Sequence, residues 1–101
     1  MKKKFAYMVI GNQYNPSEHK AVFKDPNIET YIFTVRDFQE AKERILLCVE
    51  EGFGVVELCG GFGEEKAREL IKLTDNKIGI AYAVNFPEQN EIFKKFFSWK
   101  L

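Results

Sequence analysis

Two cysteines, one histidine and three prolines are all that 101 residues contain of these types, and each scarcity excludes something. Cys48 and Cys59 are too few for a disulfide framework and too far apart for a CxxC redox pair, so they read as free thiols in a reducing cytoplasm. A lone histidine, His19, rules against a His/Cys zinc cluster, and neither a metal nor another cofactor is expected. Net charge is missing too. Fifteen basic and fifteen acidic residues cancel, which leaves no global field toward nucleic acid or an anionic membrane. No apolar run approaches the about 18 residues of a membrane span. Lys2 to Lys4 followed by Phe5 to Ile10 imitates the start of a secretion signal. The imitation stops at Gly11, short of the roughly 7–15 apolar residues such a signal needs, and no small-residue cleavage pattern follows. The lysines lack interleaved aromatics and read as a solvated end rather than a nucleic-acid footprint.

What is present is an ordinary globular composition, 46% hydrophobic and 30% charged. The length fits a single domain over residues 1–101, hiding roughly two-thirds of its unfolded surface in one core.

Along the chain, short apolar runs alternate four times with stretches of helical period. Phe5 to Ile10 is apolar without alternation, the pattern of a parallel strand covered on both faces. Asn15, Pro16 and Glu18 supply a cap, a first-turn proline and a capping-box acid, predicting a short helix to about Phe23 that Asp25-Pro26-Asn27 would stop. Thr30 to Val35 is rich in β-branched and aromatic residues and reads as the second strand. Asp37 and Glu40 cap a helix whose apolar stripe runs through Phe38, Ala41, Ile45, Cys48 and Val49. Gly52 offers a left-handed end to that helix, with Phe53 folding back on its last turn. Val55 to Cys59 is the third strand. After Gly60-Gly61-Phe62-Gly63 comes a helix with Ala67, Leu70, Ile71 and Thr74 inward and a Glu64–Arg68 pair. Ile78 to Val84 is the fourth strand, where Gly79, Ala81 and Ala83 leave one face nearly bare, so a helix or ligand could approach the backbone. Pro87 opens a last helix with Ile92, Phe93, Phe96 and Phe97 on one side.

Four βα units predict an α/β fold with a mostly parallel four-stranded sheet, either flavodoxin- or Rossmann-like or half of a barrel completed by another chain. The competing α+β reading pairs the first two strands antiparallel, with an irregular loop between them.

Ligands of parallel sheets bind beyond the carboxyl ends of the strands. Those ends carry Asn12 and Tyr14, Arg36, Cys59 with Gly60 and Gly61, and Asn85, a set that can orient a small polar molecule. The glycines precede a helix N-terminus, where backbone N–H groups can hold an anion, yet a tight strand-to-helix turn needs them equally. Their spacing matches neither the dinucleotide fingerprint nor the P-loop. Glu64 and Glu65 in the first turn disfavour a phosphate, leaving a carboxylate or neutral polar ligand. Cys59 at this turn is a candidate nucleophile, although the acids around it would raise its pKa, and the inert-cysteine reading is preferred. Glu57, a charge within an apolar strand, is a candidate general base, set against a plain ion pair with Arg36. His19 is a candidate acid or base from a loop, set against a solvated surface histidine.

Phe93, Phe96, Phe97, Trp99 and Leu101 put more aromatic surface at the chain end than one helix face can bury. They either fold onto the sheet or form a homo-oligomer interface.

The run Glu57-Leu58-Cys59-Gly60-Gly61-Phe62-Gly63, with Asn15 to His19 upstream, resembles a small prokaryotic family of single-domain proteins known only as a domain of unknown function. The resemblance implies that the two segments form one unit. It assigns no catalytic role. Three functions follow from the residues: a cytoplasmic small-ligand binder at the strand ends, an isomerase- or lyase-type enzyme moving a proton through Glu57 or His19, and a structural subunit of a homo-oligomer. No nucleic-acid or membrane partner is expected.

Overall fold

The computed structural model describes residues 2–98. Five strands form one sheet: β1 (Lys3–Ile10), β2 (Ala21–Lys24), β3 (Ile28–Val35), β4 (Val55–Leu58) and β5 (Gly79–Tyr82), in the order β2-β3-β1-β4-β5. β1 pairs in parallel with β3 on one side and β4 on the other, and β4 pairs in parallel with β5. Only β2 runs antiparallel, along the outer edge of β3. The fold is therefore α/β with a mostly parallel sheet, but of five strands rather than four. The first two strands expected from sequence, β1 and β3, are parallel neighbours, which removes the α+β alternative.

The extra strand replaces the expected helix at residues 16–23. The capping signal is real but short-lived: Asn15 Oδ1 accepts from the Ser17 N–H (3.1 Å) and hydroxyl (2.8 Å), and the His19 N–H donates to the Asn15 carbonyl (2.7 Å). One turn forms. Ala21, Val22 and Phe23, better suited to a pleated sheet, then pair with β3 instead of continuing it. Asp25-Pro26-Asn27 is thus a hairpin turn rather than a helix stop. The Asp25 carboxylate accepts from the Asn27 and Ile28 N–H groups (2.7 and 2.9 Å).

Helix α1 (Phe38–Glu50) joins β3 to β4, and α2 (Gly63–Leu73) joins β4 to β5. Asp37 caps α1 by accepting from the Glu40 N–H. At its far end Gly52 adopts φ +85°. The Phe53 N–H reaches the Cys48 carbonyl (2.9 Å) and the Gly52 N–H the Val49 carbonyl (3.3 Å), the two bonds of a Schellman ending. Both crossovers advance in the same direction across the sheet, and right-handed connections then put both helices on one face. That face holds the core: Ala6 and Met8 of β1, Val35 of β3, and Val56 and Leu58 of β4 pack with Ala41, Ile45 and Cys48 of α1 and Ala67 and Leu70 of α2.

The opposite face differs from the expectation for β1, a strand covered on both sides. By the strict alternation of strands it carries Phe5, Tyr7 and Val9 of β1, Thr30, Ile32 and Thr34 of β3, Ala21 and Phe23 of β2, Val55 and Glu57 of β4, and Gly79 and Ala81 of β5. At its Thr34 end the loop around His19 covers it, and the rest is bare. No helix of the core lies on it. Val55, Glu57, Gly79, Ala81 and Phe23 are exposed, and Phe5, Tyr7, Val9 and Ile32 are half-buried. After β5, a 3-10 turn at Pro87–Gln89 leads into α3 (Asn90–Phe97), none of whose side chains is buried. Phe93, Phe96 and Phe97 are therefore not buried against the sheet. Trp99 and Leu101 lie outside the described residues.

Candidate functional site

The carboxyl ends of β3, β1, β4 and β5 share one edge of the sheet, and the backbone ladder continues past them. The Gly11 N–H donates to the Val35 carbonyl (2.9 Å), the Cys59 N–H to Met8 (2.9 Å) and the Ala83 N–H to Leu58 (2.9 Å). This edge therefore carries Arg36, then Gly11 and Asn12, then Cys59 to Gly61, then Ala83 and Asn85. Between β1 and β4 the outgoing connections diverge, one toward β2 and β3, the other toward β5. Such a divergence is where open α/β sheets place their ligands.

The glycine turn at the divergence point packs closely against its neighbours. A Cβ on Gly61 would lie 3.2 Å from Cγ2 of Ile10 and 3.6 Å from Sγ of Cys59, and a Cβ on Gly60 would lie 3.3 Å from the Ala83 carbonyl. These two glycines let the turn pack against neighbouring strand ends. The residue that needs a glycine for its backbone is Gly63, at φ +74° where α2 begins. Cys59 is half-buried and its Sγ accepts from the Ile10 N–H (3.4 Å), which adds a further tie between the β1 and β4 ends. Gly60, Gly61 and Asn12 remain exposed.

Several polar candidates are already engaged with neighbours. Asn85 donates through Nδ2 to Asn90 Oδ1 (2.6 Å) and to the Phe86 carbonyl (3.0 Å), pinning the entry to α3. Arg36 does not meet Glu57. Its guanidinium binds Glu40, whose carboxylate also accepts from the Arg36 N–H (2.8 Å). Strand β1 lies between β3 and β4, so the expected ion pair would have to reach across a strand. The Arg36 guanidinium holds the Glu40 carboxyl below the ordinary carboxylate range, aided by the backbone N–H.

His19 lies on the loop that carries the chain from β1 over the end of β3. Its carbonyl accepts from the Thr34 hydroxyl (2.7 Å) and its Nδ1 from the Asn15 N–H (2.8 Å). The Tyr14 ring meets the imidazole edge-on at 5.9 Å between centroids. A Cβ on Gly11 would strike the Tyr14 ring at 2.8 Å, so Gly11 gives that ring its place.

Glu57 sits elsewhere, on the bare sheet face. Its register partners there are Tyr7 on β1 and Ala81 on β5. Burial raises the Tyr7 pKa, and the Cys59 thiol and Glu57 carboxyl add to the rise. The sequence reading did not single out Tyr7. No local signal marks it, because Phe5 to Ile10 is apolar without alternation, and only the register makes Tyr7 and Glu57 neighbours.

Two shallow surface hollows lie apart from this edge. One is lined by Phe38, Lys42, Glu69, Lys72 and Leu73, the other by residues of α3. Among the described residues no group of three His, Cys, Asp or Glu side chains could hold a metal, and no helix is long and apolar enough to cross a membrane. No curated protein and no solved structure matches the chain. A family model does match, over residues 3–98, and the chain accordingly belongs to DUF6506, a family of unknown function.

Proposed function

We propose that the chain binds a small polar molecule, neutral or carboxylate-bearing, at the strand-end edge around Asn12, Gly60 and Gly61. The observation that carries this reading is the divergence of the connections between β1 and β4 at an edge where the glycine backbone is exposed. Tyr14 and Cys59 flank the position, while Arg36 and Asn85 stand at its ends, held by Glu40 and Asn90 until a ligand competes for them. Phosphate is disfavoured because Glu64 and Glu65 occupy the first turn of α2. A cytoplasmic setting belongs to this proposal, supported by the two free thiols.

Amide NMR of the labelled protein, titrated separately with acetate, pyruvate and acetamide, tests it. Movement of the Gly60, Gly61 and Asn12 signals is expected with at least one of these. Signals that stay fixed with all three would remove the reading.

The Tyr7–Glu57 pairing favours a second reading, proton transfer of the isomerase or lyase kind. The Glu57 carboxylate would take a proton from carbon next to a carbonyl, and the Tyr7 phenol, kept protonated to higher pH by burial, would donate to the carbonyl oxygen. Exchange of pyruvate methyl protons into D2O, catalysed by the parent chain and lost in Glu57→Gln, is its signature. An unchanged exchange rate in that variant would end it.

A further inference from the structure

We propose that the bare sheet face is the docking site for α3 of a second copy of this chain, exchanged reciprocally about a twofold axis. The inference is independent of what binds at the strand ends, and it competes with proton transfer at Tyr7 and Glu57, since a docked helix would cover both. Mostly parallel sheets ordinarily have both faces covered, and β1 is apolar on both. Here the covered face belongs to α1 and α2, while Phe5, Tyr7, Val9 and Ile32 line the other beside a low strip at Gly79 and Ala81. The same chain carries a piece of the matching shape. In α3, Ile92, Phe93, Phe96 and Phe97 are 63, 43, 62 and 58% exposed and share one side of the helix. An eight-residue helix is marginal in water unless it buries such a side. The Asn85 side chain, bonded to Asn90 and to the Phe86 carbonyl, fixes how α3 leaves the sheet, and the molecule is elongated, 43 by 28 by 26 Å.

Area and charge both point to a second copy. With side chains of about 150–250 Å² each, the α3 side offers roughly 400 Å² of apolar surface. An equal area on the sheet, and two such contacts in a twofold pair, bury roughly 1,600 Å² in total, the size of a stable protein interface. The charge in the middle of the sheet face is Glu57, with Lys3 at its margin. Helical spacing puts Lys94 and Lys95 on the two flanks of the α3 stripe, where their long stems can reach an acid beside it.

Light scattering of the eluting protein tests the proposal, on the parent and on two variants at exposed positions, Phe97→Glu on α3 and Ala81→Arg on the sheet face. Circular dichroism establishes that each variant is folded. The parent is expected at twice the 11.8 kDa chain mass, and both variants at the single-chain mass. A dimer that survives Phe97→Glu would mean that sheets meet without α3, and one that survives Ala81→Arg would mean that the interface lies elsewhere. Either result overturns the proposal. So does a monomeric parent, including one that sediments with phosphatidylglycerol vesicles, which would assign α3 to a membrane surface.

Discussion

Tyr7 and Glu57 stand side by side on neighbouring parallel strands, on the face that α1 and α2 leave bare. The phenol is half-buried and the carboxyl exposed, so the phenol bears the consequence. Burial and the two acidic neighbours make it hold its proton beyond the ordinary tyrosine range. In Glu57→Gln the Tyr7 ring signals should titrate at lower pH than in the parent, though still late because burial is the larger cause. An unshifted Tyr7 titration curve in the variant would show that the two groups do not interact. The sign for stability is fixed as well: a raised folded pKa means that this contribution is complete below about pH 10 and fades as the pH climbs through the folded value.

Acid should act through other groups. Backbone N–H groups of Asn27 and Ile28 lower the Asp25 pKa, and Arg36 lowers that of Glu40. Carboxyls depressed in the folded state stabilise above their unfolded pKa and lose that contribution as the pH falls through the folded one. The thermal midpoint should therefore begin to drop below about pH 5 and keep dropping as the pH passes through the depressed folded values, and Asp25→Asn should flatten that drop in a melting series.

The glycines of the turn should not be equivalent. Gly63→Ala forces a left-handed residue at the start of α2 and should cost about 1–2 kcal/mol in urea unfolding. Gly61→Ala meets side-chain atoms of Ile10 and Cys59 that can shift, and its cost should be smaller. Gly60→Ala presses on a backbone carbonyl of the adjacent chain segment and should fall nearer the Gly63 variant. Equal unfolding midpoints for all three would contradict this ordering.

The two cysteines should differ in reactivity. Cys48 is fully enclosed between α1 and the sheet, and burial pushes its thiol up to about 12. Iodoacetamide at neutral pH should modify Cys59 in the folded protein and Cys48 only after unfolding, as peptide mass spectrometry would read. Modification of Cys48 at the rate of Cys59 would place it at the surface.

How far the fold could be read from sequence depended on whether a signal was local. Asp37, Gly52 and Phe53 mark both ends of α1 through bonds that span a few residues, and each is found in its expected role. Glu40 turns its carboxylate to the N–H and guanidinium of Arg36 instead of closing a capping box on Asp37. Thr74 is buried at the end of α2 with its hydroxyl on the Leu70 carbonyl, as the inward stripe implied. Asn15 to Glu18 misled because a capping motif fixes one turn, while Ala21 to Phe23 answer to β3, a partner the local pattern does not contain. Glu57 misled for the same reason. A charge in an apolar strand calls for water or a partner, and only the strand order shows that it gains water on the bare face and that Arg36 is taken by Glu40. The strand-end edge itself was legible, since direction follows from the length of the crossovers.

The central position of β1 has a consequence for how the molecule is made. Its two ladder partners begin at Ile28 and Val55, so β1 leaves the ribosome well before its second neighbour and waits for it. Until β4 emerges, one long edge of β1 is without its pairing strand, rich in Phe, Tyr, Met, Val and Ile. Nascent chains stalled before Val55 should therefore depend on chaperones, and those released after Tyr82 should not.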